Sequence, residues 1–365
     1  MKRLVLKMKS RLLLLRAAVK VELMRVKRLC AMVLITAGFA LVAGTAFAAT
    51  PLSGAGSTFA YPFYAKWFYE YEKVTGVKIN YQAIGSGGGI QQLFARIVDF
   101  GASDKPLDKK TMQEHGVIQM PDAAGGIAIA YNIPGVGKGL KFTPKLIAAI
   151  YLGKVTSWND PAIKAVNPGI NLPALPIIVV HRSDGSGTTY IFTHYLSKIS
   201  KEWATKVGAD LSVNWPAPSS IGGKGNPGVA GAIMKMRGAI GYVELAYVMQ
   251  NAMTYGPVQN KAGVFVWPTI ASARAAAATV KHVPSDFNVL FVDQPGRDSY
   301  PIAGFTYLII YKKQLDPVKG KELLNFITWA YTKGQPMLKD LDYVPIPENI
   351  IKKIDRQLKE VEIKP

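Results

Sequence analysis

Cysteine is almost missing from this sequence: its 365 residues hold one, Cys30. No disulfide can form within the chain, and no Cys-x-x-Cys thiol or zinc motif exists. Histidine is scarce too. His115, His181, His194 and His282 are the four, and none stands in an H-E-x-x-H pattern. No zinc site is expected, and each reads as surface or polar filler. Acidic residues are few, 24 Asp and Glu against 44 Lys and Arg, a net charge of +20. No G-x-x-x-x-G-K-[ST] occurs, so the chain has no P-loop of its own. "SDGSG" is not a nucleophile elbow, because Asp184 stands where the first Gly of G-x-S-x-G belongs. A Ser-His-Asp triad stays open, since its members need not be adjacent. "GKGNPG" (223–228) matches G-x-G-x-x-G by letter, but Pro227 sits inside it and no strand leads in. It reads as a turn.

Long uncharged hydrophobic runs are equally rare. The one that stands out is "LCAMVLITAGFALVAGTAFA", Leu29 to Ala48. Ahead of it lie ten Lys or Arg and one acid, Glu22. A basic stretch, an apolar stretch and the small-x-small ending Ala46-Phe47-Ala48 together read as a secretory signal peptide cleaved after Ala48. The competing reading is an N-terminal membrane anchor, since 20 apolar residues match the length of a membrane span. Met8 and Met24 are alternative starts. Cys30 begins the apolar run rather than following it, which argues against lipidation. Removing the leader takes ten positive charges and one negative with it, so the net charge falls from +20 to +11. The remaining Lys and Arg are scattered; "DKK", "YKK" and "IKK" are the densest groups. That reads as a solvated positive surface, one that speeds encounters with anions; no nucleic-acid partner is expected.

Past the leader, strand-like apolar runs alternate with helix-like segments. "VKINYQAIG" (77–85), "VDFGASD" (98–104), "GGIAIAYNI" (125–133) and "LPIIVVHRS" (175–183) each precede an amphipathic stretch. "AIGYVELAYV" and "IAGFTYLIIY" follow later. In the closing "ENIIKKIDRQLKEVEI", Ile350, Ile354, Leu358 and Val361 fall on one helical face. "ASARAAAATV" (271–280) reads as an Ala-rich helix and "GGKGNPG" (222–228) as the loosest loop. The alternation implies an α/β fold with largely parallel sheets. No Pro/Ser linker divides the chain, which fits two lobes joined by several crossings. "AIAYNIPG" and "YPIAGFTYLII" are the crossing candidates. Tyr64, Phe68 and Tyr71 repeat at helical spacing, so the aromatic cluster around them reads as core rather than as a ligand platform.

Three places share one design: small hydroxyl residues and Gly just ahead of a helix-like run. They are "GAGSTF" (54–59), "GSGGG" (85–89) and "DGSGTT" (184–189). Helix starts expose backbone N–H groups, Gly admits close approach, and the helix dipole favours an anion. The third carries Arg182 beside Asp184, a guanidinium fork with a carboxylate to hold it.

These residues carry a resemblance. "GAGSTFAYPFYAKWFYEYEKVTGVKINYQAIGSGGGIQQL", "VDFGASDKPL", "YLGKVTSWND" and "HRSDGSGTTYIFTHYL" resemble the periplasmic phosphate-binding proteins of Pst-type ABC transporters, within the type II solute-binding proteins. The resemblance runs from about Gly54 through "FITWAYTKG" and "DLDYVPIP". It implies a two-lobed Venus-flytrap fold, each lobe a mixed sheet flanked by helices, with two crossing strands as hinge. Lobe I would comprise 49–130 and 300–365, and lobe II 131–299. It implies a phosphate site at Thr58, Phe59, Ser86, Asp104, Arg182, Asp184, Ser186, Gly187 and Thr188, with Phe59 and Gly187 contributing backbone N–H groups. Ala60 and Gly87 depart from the family, where Pro and Ser are frequent. It implies a monomer that delivers phosphate to permease subunits served by a separate ATPase, with no cofactor, no metal and no catalysis. A carboxylate at Asp104 suits phosphate, which keeps a proton near neutral pH, and repels sulfate, which has none. A receptor for sulfate or molybdate, and a secreted phosphatase, are the competing readings.

Overall fold

The computed structural model describes residues 2–40 and 50–364. The chain divides into two units, Met1–Ala48 and Ala49–Pro365. In the first, Lys2–Ala40 is one helix. Among the described residues no helix is long and apolar enough to cross a membrane. The expected cleavage site, Ala46 to Ala48, lies outside the described residues.

The second unit is built on a nine-stranded sheet. Its strands are β1 (Leu52–Gly56), β2 (Ile79–Gln82), β3 (Phe100–Ser103), β4 (Val117–Asn132), β5 (Ile178–Arg182), β6 (Ser220–Gly223), β7 (Ala239–Glu244), β8 (Tyr255–Gly256) and β9 (Ala303–Tyr311). The order is β2-β1-β3-β9-β4-β7-β5-β6, with β8 also on β4. Both flanks are parallel: β2-β1-β3 on one side and β7-β5-β6 on the other. The middle is antiparallel, where β9 and β4 pair with each other and with the flanks. The sheet is therefore mixed, and the expectation of largely parallel strands holds only for the flanks.

β4 explains the two lobes. It spans 16 residues, and 15 of them are buried. From Val117 to Gly126 it pairs with β9; from Ile127 to Asn132 it pairs with β7. The change of partner places the crossing at Gly126–Ile127, just ahead of the expected "AIAYNIPG". The second crossing runs beside it, with Ile127 N–H donating to Ile302 O at 2.8 Å. The stretch 283–292 reaches back to β4 and β9, where Gln119 Nε2 donates to Asp286 O and Tyr307 Oη to Val289 O.

The helices that frame the cleft follow from local sequence. Tyr61–Thr75 starts with Pro62 in its first turn and ends at Gly76. Its Phe63, Tyr64, Trp67, Phe68 and Tyr71 are buried, Tyr64, Phe68 and Tyr71 against β3 and the Pro317–Trp329 helix, Phe63 against Tyr343 and Trp67 against Gly334, so the aromatic cluster is core. Gly187–Ile199 is capped by Ser186, whose Oγ accepts from Thr189 N–H at 3.1 Å. The Ala-rich segment is a helix over Ile270–Ala278. The C-terminal helix, Glu348–Leu358, buries Ile350 and Ile354; Val361 lies beyond its end.

Candidate functional site

The loop after β1 is pinned from three directions before any side chain is considered. Tyr81 Oη donates to Ser57 O at 2.9 Å, Tyr247 Oη to Thr58 O at 2.7 Å and Tyr343 Oη to Phe59 O at 2.6 Å. Tyr247 lies in the Leu245–Gln250 helix that follows β7, so the loop is held from the opposite flank of the sheet. The tip of the Phe59 ring abuts β4 at Gly125. A Cβ on Gly125 would sit 2.8 Å from its Cζ, so only a glycine leaves room for it there.

β3 delivers Asp104 to the same place, 2% exposed. Its Oδ1 accepts from the Ser57 hydroxyl and its Oδ2 from Thr188 Oγ1 at 3.2 Å. Burial pushes the Asp104 carboxyl up to about 6; the hydroxyls of Ser57, Thr306 and Thr188 and the nearby Arg182 charge keep it from rising further. Ser86, the first residue of the Ser86–Phe94 helix, accepts on Oγ from Asp104 N–H at 3.2 Å and from Gly187 N–H at 3.0 Å.

The β7-β5-β6 flank supplies the cation. Arg182 ends β5 and is buried. Its Nε donates to Asp184 Oδ1 at 2.8 Å and its Nη2 to Asp184 Oδ2 at 2.5 Å, a bidentate fork. Nη1 reaches Thr188 Oγ1 at 3.4 Å. Asp184 also accepts from Gly225 N–H at 2.9 Å. Burial works to raise the Asp184 carboxyl, but Arg182 and Gly225 outweigh it and hold it below its usual range. Asp184 is thus an ionised anchor for the guanidinium, while Asp104 is a carboxyl poised near neutrality. At the rim Lys105 Nζ meets Asp210 Oδ1 at 2.7 Å across the cleft.

Seven of the nine expected residues, Thr58, Ser86, Asp104, Arg182, Asp184, Gly187 and Thr188, are joined by hydrogen bonds in one buried cluster, Thr58 through Asn226; Ser186 turns its hydroxyl to its own helix and Phe59 turns its ring to Gly125. Together they offer hydroxyl donors, helix-start amides and a fixed guanidinium, with two carboxylates among them: Asp184, taken up by the guanidinium, and Asp104, which meets hydroxyls. That combination suits a small oxyanion carrying a proton.

The comparisons with known proteins agree. A model of the PBP superfamily domain matches residues 41–333. The chain is 47% identical over 313 residues to the phosphate-binding protein PstS of Haemophilus influenzae, covering 85% of this chain and 93% of that one. It is 45% identical over 306 residues to PstS of Xylella fastidiosa (strain 9a5c), covering 83% and 84%. The chain belongs to the PstS family of phosphate-binding proteins. Among solved structures, a high affinity periplasmic phosphate-binding protein (PfluDING) bound with phosphate superposes with a TM-score of 0.69 at 21% identity, covering 84% of this chain and 93% of that one. The two share the two-lobed fold.

Two residues of the cluster escaped the sequence reading, Ser57, which donates to Asp104, and Asn226. Asn226 lies in "GKGNPG", which reads as a turn with no strand leading in. The structure overturns that reading: β6 runs to Gly223 and the Gly225–Lys235 helix starts at once. "GGKGNPG" is a strand end and a helix start, not a loose loop. Asn226 is fully buried, and its Nδ2 donates to Thr58 Oγ1 at 3.0 Å and to Thr188 Oγ1 at 3.2 Å. The signal was available, since this is a fourth run of small residues leading into an apolar helix, "GVAGAIMKM".

Proposed function

We propose that this chain binds inorganic phosphate in the cleft between its lobes and delivers it, in the periplasm, to the permease of a phosphate ABC transporter. The leader would be removed after Ala48, and the mature chain would work as a monomer. The permease would be powered by a separate ATPase subunit. The lobes proposed are 49–130 with 300–365, and 131–299, with 283–292 strapped across their boundary and the hinge where β4 changes partner.

Phosphate would be held by Thr58, Phe59, Ser86, Asp104, Arg182, Asp184, Ser186, Gly187 and Thr188. Thr58, Ser86, Ser186 and Thr188 supply hydroxyls, Phe59 and Gly187 backbone N–H groups, and Arg182 its charge, braced by Asp184. No catalytic step is assigned to any of them. The observation that carries the reading is Asp104, a buried carboxylate that, unlike Asp184, has no guanidinium fork paired to it. It suits a ligand with a proton to give, and it sets phosphate apart from sulfate.

Calorimetry of residues 49–365 with phosphate, sulfate and arsenate tests this. Phosphate should bind in the micromolar range or tighter and sulfate at least ~100-fold more weakly, about 2.7 kcal/mol. Equal affinity for sulfate, or no binding of phosphate, would overturn it.

A further inference from the structure

We propose that Asn226 sets the polarity of the cleft hydroxyls, forcing Thr58 and Thr188 to act as hydrogen-bond donors and so confining the ligand's proton to Asp104. This rests on the phosphate-binding reading.

The orientation of the Asn226 amide is fixed from behind. Glu244 N–H donates to its Oδ1 at 3.0 Å. A backbone amide can only donate, so the oxygen must face it and Nδ2 must face the cleft. The two Nδ2 hydrogens then go to Thr58 Oγ1 and Thr188 Oγ1. Thr58 Oγ1 accepts a second time, from Asn226 N–H at 3.0 Å. A hydroxyl has two acceptor positions and one proton. Both acceptor positions of Thr58 are filled by Asn226, so its proton can only be given away. Thr188 is in the same state: it accepts from Asn226 Nδ2 and Arg182 Nη1, and it donates to Asp104 Oδ2.

The consequence for a tetrahedral anion is directional. An oxygen that meets Thr58 must be unprotonated, because a P–OH there would find no acceptor. With Arg182 and the helix-start amides also donors, Asp104 is the remaining partner for a ligand proton. Asn226 thereby acts through Thr58 and Thr188, as a positioning residue for specificity. Asn226→Asp would keep the acceptor for Glu244 N–H but turn the donor into an acceptor. Thr58 would then donate to the new carboxylate and offer nothing to an anion.

The test is calorimetry with inorganic phosphate at pH 8 on residues 49–365, which form a compact unit of their own. The wild type is measured first, and its failure to bind would overturn the phosphate reading itself. With the wild type binding, Asn226→Asp should lose at least ~100-fold in affinity, about 2.7 kcal/mol. Asn226→Ala should lose roughly tenfold in the wild-type background, but less than threefold in a Thr58→Val background. The Ala cycle decides if the Asp variant does not fold. Asn226→Asp binding within threefold of wild type, or the same Ala loss in both backgrounds, would overturn the proposal. The second result would assign Asn226 to supporting Glu244 alone.

Discussion

Gly187 N–H donates to Ser86 Oγ at 3.0 Å. Each is the first residue of a helix, and the two helices follow strands on opposite flanks of the sheet, β2 and β5. The contact is possible because Gly187 has no side chain. A Cβ there would stand 2.6 Å from Asp104 N and from Asp104 Cβ.

Gly187→Ala should therefore keep the lobes from meeting without unfolding either one. Phosphate affinity should fall at least ~100-fold, because an anion held by both lobes binds the shut state and shifts that population. Small-angle scattering should show saturating phosphate compacting the wild type and leaving the variant unchanged. A variant that compacts like the wild type would show that the backbone yields at this point.

Arg182→Ala should remove phosphate binding more severely than any single hydroxyl deletion. It leaves Asp104 and Asp184 without their cation, at a cost of ~2–5 kcal/mol in affinity. Arg182→Lys should rescue little of it, since an ammonium cannot make the bidentate contact with Asp184. Titration calorimetry of both variants checks this; affinity within threefold of wild type in either would remove the guanidinium fork from the site.

Asp104→Asn should blunt discrimination against sulfate more than it weakens phosphate binding. The amide offers donors and no repelling charge, while its oxygen still accepts a phosphate proton. The phosphate-to-sulfate affinity ratio should fall at least ~10-fold, about 1.4 kcal/mol. An unchanged ratio in competition calorimetry would sink the proton-reading role.

Asp122→Asn should flatten the pH dependence of stability. Asp122 is buried on β4; the Tyr64 hydroxyl donates to its Oδ2 while its Oδ1 has no partner. Burial pushes its carboxyl up to about 7, whereas an unfolded Asp titrates near ~3.9. Between these values the folded state holds a proton that the unfolded state does not, so stability falls as pH rises through that window. Thermal melts of the ligand-free wild type should lose at least ~1 kcal/mol more than the variant between pH 4.5 and pH 8. Parallel pH profiles would show that Asp122 does not carry the effect.

Much of the cleft was legible in the sequence. Small residues ahead of a helix have few local uses other than capping and anion approach, so "GAGSTF", "GSGGG" and "DGSGTT" stood out, and all three precede helices. Asn226 did not stand out because Pro227 reads locally as a turn. Pro is equally at home in the first turn of a helix, and local pattern cannot choose between the two. β4 was half seen: "GGIAIAYNI" reads as a strand, but "VIQMPDAA" carries a Pro and an Asp. The sheet accepts them because a register shift at Thr306/Tyr307 faces that stretch, and β9 contributes that partner from far along the chain.

The sequence by itself determined the leader's composition, the α/β alternation, the aromatic core stripe and the residue types of the cleft. Each depends on neighbours within a helical turn or a strand repeat. Only the tertiary structure decided which hydroxyl donates to which acceptor. Ser57 and Thr188 meet Asp104, Asn226 meets Thr58, and Tyr247 meets the Thr58 carbonyl. Hydrogen-bond polarity is set by all the partners an atom has at once, and here they come from both lobes. The same holds for charge: Asp104 and Asp184 are the same residue type in similar small-residue loops. Burial raises one, and a bidentate arginine holds the other down.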